Sequence, residues 1–194
     1  MEDTNFSISD TYSMHALSHV PSPNQHLTFT QLKRYYGERR FDVTRETFLN
    51  DLGFYTPHHR FNYTAYLMAD VNGNSMKVAR FRGTNKIDIL ERNEFGHCCL
   101  IRSTNQFLDK LQTVNYTLEK KGLYLVDQNT LKKAVLHATI YNDYIQGAYP
   151  VVEVYDDRLE VVFSGSLPNG YSKTEYLQGT APLPNKELVT LLSG

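Results

Sequence analysis

Val154-Tyr155-Asp156-Asp157-Arg158-Leu159-Glu160-Val161-Val162-Phe163-Ser164-Gly165-Ser166-Leu167-Pro168-Asn169-Gly170 is the stretch whose reading decides the fold. Apolar residues flank an Asp-Asp-Arg trio. Val151–Tyr155 and Arg158–Phe163 therefore read as two strands of a hairpin across Asp156-Asp157. Neither turn residue is glycine, so the tight turn is less favoured than Asn-Gly would make it. The trio itself reads as the turn and solvent face of that hairpin. Beyond the second strand, Ser164 to Gly170 carries the glycine and proline of a loop.

Immediately upstream, Asn129 to Tyr144 reads as a helix. On its wheel Leu131, Ala134, Val135 and Ala138 form one stripe, fit to pack on a sheet. Lys133, His137, Ile140 and Tyr144 form a second stripe, facing away from the first. Further upstream, Cys98 to Leu111 is helical in pattern, with Leu100, Ile101, Thr104, Phe107, Leu108 and Leu111 on one face. Tyr116 to Val126 reads as a strand interrupted at Gly122. Met76–Arg82 and Ile87–Asn93 read as strands around a Gly83-Thr84-Asn85 turn.

Asn62–Ala69 fits a helix or a strand, and Val71 to Asn74 a turn. Thr28–Tyr36 and Thr44–Leu52 read as short helices, the second with Thr44 as N-cap and Gly53 past its end. Residues 1–26 are polar and aperiodic, which predicts a flexible tail with order beginning near Leu27. Short helices are expected at Lys173–Leu177 and Asn185–Leu192. Strands grouped with helices in this order imply an α+β fold: a two-layer sandwich with a mixed or antiparallel sheet packed against helices. Residues 27–194 are expected to form one domain, in two parts, 27–126 and 127–194.

The chain has 194 residues, 41% of them hydrophobic, enough to bury one core. A formal net charge of −1 provides no bulk basic field, so any nucleic-acid contact needs a local patch. The two cysteines, Cys98 and Cys99, are adjacent, a poor arrangement for a disulfide. They point to a reducing, cytoplasmic setting. No apolar run approaches a membrane span, and no signal peptide is expected. His58-His59 and His97-Cys98-Cys99 lack zinc spacing, so no metal is expected.

Two motifs carry a resemblance. Lys132-Lys133-Ala134-Val135-Leu136-His137-Ala138-Thr139-Ile140-Tyr141-Asn142-Asp143-Tyr144 and the hairpin stretch quoted first resemble, with matching spacing, the RecG-like C-terminal domain of the GHKL ATPase superfamily. Such domains are found downstream of schlafen-type Alba-like domains in transcriptional regulators. The resemblance implies a GHKL-like sandwich. It also implies a nucleotide pocket in which a helix presents a glutamate base and, one turn later, a magnesium-binding asparagine.

By register those positions are Lys133 and His137. Lysine is a cation at neutral pH and offers no base. Magnesium prefers oxygen ligands, which imidazole does not supply. The adenine acceptor falls on Phe163, which has no acceptor atom. The family's Gly-Gly becomes Gly165-Ser166, and nothing up to Gly194 resembles the family's closing glycine-rich segment, which is expected to be lost. Lys133 still attracts a phosphate as a point charge.

The expectation is therefore a non-catalytic, ATPase-like regulatory or protein-interaction module with no cofactor, related to a DNA-associated regulator. Its partner is an unknown protein or a second copy, and nucleic acid would be reached through an upstream domain. One alternative is a weak ATP- or ADP-binding protein, with or without magnesium, using Lys133, His137, Asp157, Gly165, Ser166 and Gly170. Another is a nucleic-acid module using Lys33, Arg34, Tyr35, Arg39 and Arg40, where base charge and aromatics mix. Glu38, Asp42 and Glu46 dilute that patch, and a solvated helix face accounts for it better.

Overall fold

A computed structural model describes residues 16–120, 127–165, 171–172, 174–175, 178 and 185–193. The elements are α1 (Thr30–Glu38), α2 (Phe48–Asp51), α3 (Tyr63–Met68), β1 (Ser75–Arg82), β2 (Asp88–Gly96), α4 (Leu100–Lys120), α5 (Gln128–Tyr141), β3 (Val151–Val154), β4 (Leu159–Val162) and α6 (Lys186–Ser193). The strands form one open mixed sheet in the order β2-β1-β3-β4. β1 pairs antiparallel with β2 and parallel with β3, and β3 pairs antiparallel with β4. A parallel pair needs a crossover. Between β1 and β3 the chain runs through β2, α4 and α5, and these two helices pack on the sheet. The result is the expected α+β two-layer sandwich.

Alternation along the strands places the core. Met76 and Val78 of β1, and Val152 and Val154 of β3, are all buried. They meet Leu100, Ile101, Phe107 and Leu111 of α4 and Leu131 and Val135 of α5 in one cluster that also takes in Leu188 and Leu191 of α6. The apolar face read from Cys98 to Leu111 is the face that is buried. α5 is capped by Asp127, whose side chain accepts from the Thr130 N–H. Its expected packing stripe holds at Leu131, Val135 and Ala138, with Ala134 half-buried.

Four expectations need correction. Tyr116 to Lys120 is not strand but the last turn and a half of α4, and 121–126 lie outside the described residues. Their aromatic and branched residues favour a strand locally, but the helix already packed on the sheet overrides that weak preference. The Thr44–Leu52 helix shrinks to Phe48–Asp51. Asp42 explains part of this, because its carboxylate takes both the Thr44 N–H (3.1 Å) and the Thr44 hydroxyl (2.7 Å), an alternative to helical bonding.

Order does not begin at Leu27. Leu17 is 1% exposed, the Ser22 N–H donates to the Phe61 carbonyl, and the Gln25 side chain both donates to and accepts from the Phe61 backbone. These partners are distant in sequence and leave no local pattern in residues 16–26. Finally, Tyr144 does not extend the outer stripe of α5. The helix stops at Tyr141, where Asn142 turns extended (φ −68°, ψ 139°), and Tyr144 is buried with its hydroxyl donating to the Thr139 carbonyl at 2.8 Å.

α1 has no local cap. Its N-cap position is Phe29, and the Asp70 carboxylate instead accepts from the Thr30 and Gln31 N–H groups at 2.8 and 2.7 Å. Burial pushes the Asp70 carboxyl up, but these bonds outweigh it and hold it below the usual carboxylate range. α1 is thereby tied to the end of α3, beside the start of α4.

Candidate functional site

The two sequence motifs meet where α5 ends and β4 ends. The His137 ring stacks on Tyr141 with centroids 4.3 Å apart and planes 22° from parallel. The Phe163 ring lies edge-on to His137 at 5.7 Å. The chain leaving β4 is fastened to the chain leaving α5. The Asp143 N–H donates to the Ser164 carbonyl at 2.5 Å, and the Ser164 N–H donates to the Asn142 side chain at 3.2 Å. Asn142 in turn donates to the Ala148 carbonyl at 2.8 Å and is fully buried. Gly165 runs against this joint. A Cβ there would stand 2.6 Å from the Tyr141 carbonyl oxygen, so only glycine fits without a backbone shift.

Of the residues expected in a nucleotide pocket, His137 and Gly165 are brought to this corner. Lys133 lies on the same helix and is exposed. Asp157 is not brought there. It sits in the β3–β4 turn, at the opposite end of β4 from Phe163, and pairs with Arg158 at 3.0 Å. Ser166 and Gly170 lie outside the described residues.

The Asp-Asp-Arg trio instead joins the two hairpins. Asp156 exchanges backbone and side-chain hydrogen bonds with Gly83 (3.0 and 2.7 Å) in the β1–β2 turn. Arg158 donates to the Thr84 carbonyl at 3.1 Å, pairs with Glu160 at 2.6 Å, and lies over the Tyr155 ring at 3.9 Å. Tyr155 stacks on Phe81 at 5.2 Å. The reading of this trio as a turn misses only the cross-hairpin contacts, which local spacing does not show.

Burial pushes the His137 imidazole below its ordinary range, because a half-buried ring is costly to charge. The unfolded chain then takes up a proton at a higher pH than the folded one. Stability from this group is complete above about pH 6.5, the ordinary histidine value, and falls as pH drops through the folded value. A titration of His137 by nuclear magnetic resonance should give a midpoint below 6.5, and His137→Gln should flatten the loss of stability between about pH 7 and pH 5. A midpoint above 6.5 would contradict the buried placement.

The second candidate group is split. Lys33 and Arg34 are exposed on α1, and Arg39 and Arg40 follow its end. Arg39 covers the Tyr35 ring at 3.6 Å, so that face of the ring is taken. Arg40 has φ 65°, unusual for a residue with a side chain. Phe41 beside it is 57% exposed.

A cleft of about 310 Å³ opens between α1 and the first turns of α4, lined by Arg34 and Tyr35 on one side and Cys99, Ile101 and Arg102 on the other. Cys99 is a free thiol, and burial pushes it up to about 11, so it stays protonated. The sequence gives little sign of this cleft, because the polar faces that wall it look like ordinary solvated helix faces. Among the described residues, no group of His, Cys, Asp and Glu is placed to hold a metal ion. Among them too, no helix is long and apolar enough to cross a membrane.

No family model and no curated protein matches the sequence. Among similar solved structures is the DIP2311 protein from Corynebacterium diphtheriae, with a TM-score of 0.70 and 16% sequence identity over 92% of this chain. The match covers 33% of that protein, so the chain spans about a third of its length. At this identity the likeness shows the fold alone.

Proposed function

We propose that this chain is a non-catalytic module of ATPase-like shape that acts by binding another macromolecule rather than by turning over nucleotide. The observation that carries the reading is the packing of His137 between Tyr141 and Phe163. Under the resemblance to GHKL-type domains, that corner is where magnesium and adenine would be held. None of the three stacked side chains carries the carboxylate or amide oxygen that the resemblance expects for magnesium and for the adenine amino group. One turn earlier, Lys133 stands where the base would be and is exposed to solvent. A cation there attracts phosphate but cannot take a proton from water.

Without a base and without a metal ligand, the largest contributions to hydrolysis are gone. The pure protein should release no phosphate from ATP above the uncatalysed background, with magnesium present or absent. Turnover that disappears in Lys133→Ala or His137→Ala would overturn the proposal.

A further inference from the structure

β2 is an outer strand of the sheet, and among the described residues no strand pairs with its free edge. The ladder fixes which backbone groups that edge offers. The His97 N–H donates to the Asn74 carbonyl directly across, and the Lys77 N–H, opposite Glu94, turns to the Pro150 carbonyl on the far side of β1. Alternation along an antiparallel pair therefore turns the backbone groups of Glu91, Asn93 and Phe95 toward β1 and those of Arg92 and Glu94 outward. Open edges are commonly blunted by a bulge. Here the bulge falls at Leu90, because Arg80 pairs with Glu91 while Phe81 pairs with Ile89, and Glu91–Gly96 stays regular. Glu91 pairs with Lys110 of α4 and Phe95 packs on Phe107, so Arg92 and Glu94 share the sheet face away from α4. Both are exposed, and Arg92 takes part in none of the ion pairs formed among the described residues. Ile89 and Leu90, 41% and 40% exposed, add apolar surface to the same edge.

The charge pattern of this edge selects a second copy of the chain as its occupant. Two identical edges meet antiparallel around a two-fold axis perpendicular to the sheet, and outward-turned residues must meet outward-turned residues. That requirement puts the axis on a residue, never between two. An axis on Arg92 or on Glu94 sets like charges face to face, which is unfavourable. An axis on Glu91 sets that carboxylate against itself and Arg92 against the bulge at Leu90. An axis on Phe95 puts Glu94 opposite Gly96 and leaves Arg92 past the strand end. Only an axis on Asn93 sets Arg92 of each copy opposite Glu94 of the other, twice, on the open face. The same axis gives the outward N–H and C=O groups of both residues their partners, and it brings Leu90 of each copy to Gly96 of the other, where no side chain stands in the way. We propose that this chain pairs with a second copy of itself through β2, antiparallel about Asn93, so that the two sheets join edge to edge. The regular contact runs only from Glu91 to Phe95, so the dimer is weak, with a Kd of roughly 10–300 µM. This pairing does not rest on the reading of the α5–β4 corner, which lies at the opposite edge of the sheet.

The test is sedimentation velocity of the whole chain from about 10 to about 500 µM at low salt, where exposed charges are least screened. The wild type should move from monomer toward dimer across that range. Arg92→Glu sets acid against acid at both contacts, and Glu94→Arg sets base against base. Each variant alone should dimerise about tenfold more weakly or worse. An equimolar mixture of the two variants places opposite charges at both contacts again and should dimerise about as well as the wild type. Circular dichroism of each variant checks its fold, and recovery in the mixture reports on the pairing alone. A further measurement needs no variant: the Arg92 and Glu94 amide resonances of the wild type should shift as concentration rises. The proposal is overturned if the wild type stays monomeric at about 500 µM. It is equally overturned if either variant dimerises like the wild type, if the mixture does not recover, or if the concentration-dependent shifts lie away from β2.

Discussion

Gly96→Ala is expected to destabilise the protein by about 3 kcal/mol, the upper part of the usual range for forcing atoms into a packed site. Gly96 ends β2 opposite Ser75, and the following residue, His97, donates its N–H to the Asn74 carbonyl at 2.6 Å. A Cβ on Gly96 would overlap the Asn74 carbonyl oxygen and the Ser75 Cα, both backbone atoms that cannot swing aside. Relief requires moving β1 or β2 at the point where the chain enters α4, and α4 carries much of the core. For a chain of this size the melting temperature should fall by roughly 6–12 °C. Gly37→Ala is the matching control. Gly37 lies in α1 with nothing within 4 Å of its Cβ position, so alanine there should be neutral or stabilising by about 0.5–1 kcal/mol. Equal effects of the two substitutions would contradict the close approach at Gly96.

The second large effect belongs to Asn62, which is fully buried. Its Oδ1 accepts from the Ala65 N–H at 3.0 Å and caps α3. Its Nδ2 donates to the Gly53 carbonyl at 2.7 Å and the Ser18 carbonyl at 3.3 Å. One side chain thus ties the N-terminal segment, the turn after α2 and the start of α3. Asn62→Ala removes a cap, about 1 kcal/mol, and leaves buried backbone groups unsatisfied, about 1–3 kcal/mol more. Chemical denaturation should show a loss of roughly 2–4 kcal/mol. Asn62→Asp keeps the cap acceptor but loses both donated bonds and turns a carboxylate toward the Gly53 carbonyl. It should be no more stable than the alanine variant at pH 7 and should recover in part as the carboxyl protonates on acidification. Wild-type stability in Asn62→Asp would mean that the two donated bonds do not matter.

How much of this was legible in the sequence depends on how local each signal is. The β3–β4 hairpin and α5 were legible because alternation at Val151–Val154 and the stripe of Leu131, Val135 and Ala138 are set by neighbours in the chain. So was the buried face of α4. The packing of Leu17 and the role of Asn62 were not, because their partners come from distant segments. Asp70, capping α1 from the end of α3, is the same kind of contact. The extension of α4 through Lys120 was hidden by strand-forming residue types.

At the candidate site, the register of the two motifs groups His137, Phe163 and Gly165, and in the structure these three lie where α5 and β4 end. It failed for Asp157, whose place at the far end of β4 follows from the hairpin itself. The α1–α4 cleft left no signal that separates it from two solvated helix faces.

Under the proposed function, the α5–β4 corner is filled by its own side chains and takes no nucleotide. Isothermal titration of the whole chain with ATP in the presence of magnesium, repeated with the His137 and Phe163 resonances in view, tests it most directly. No saturable heat and no shift of those two rings is expected up to about 1 mM ATP. Saturable, magnesium-dependent binding that moves His137 and Phe163 would contradict it.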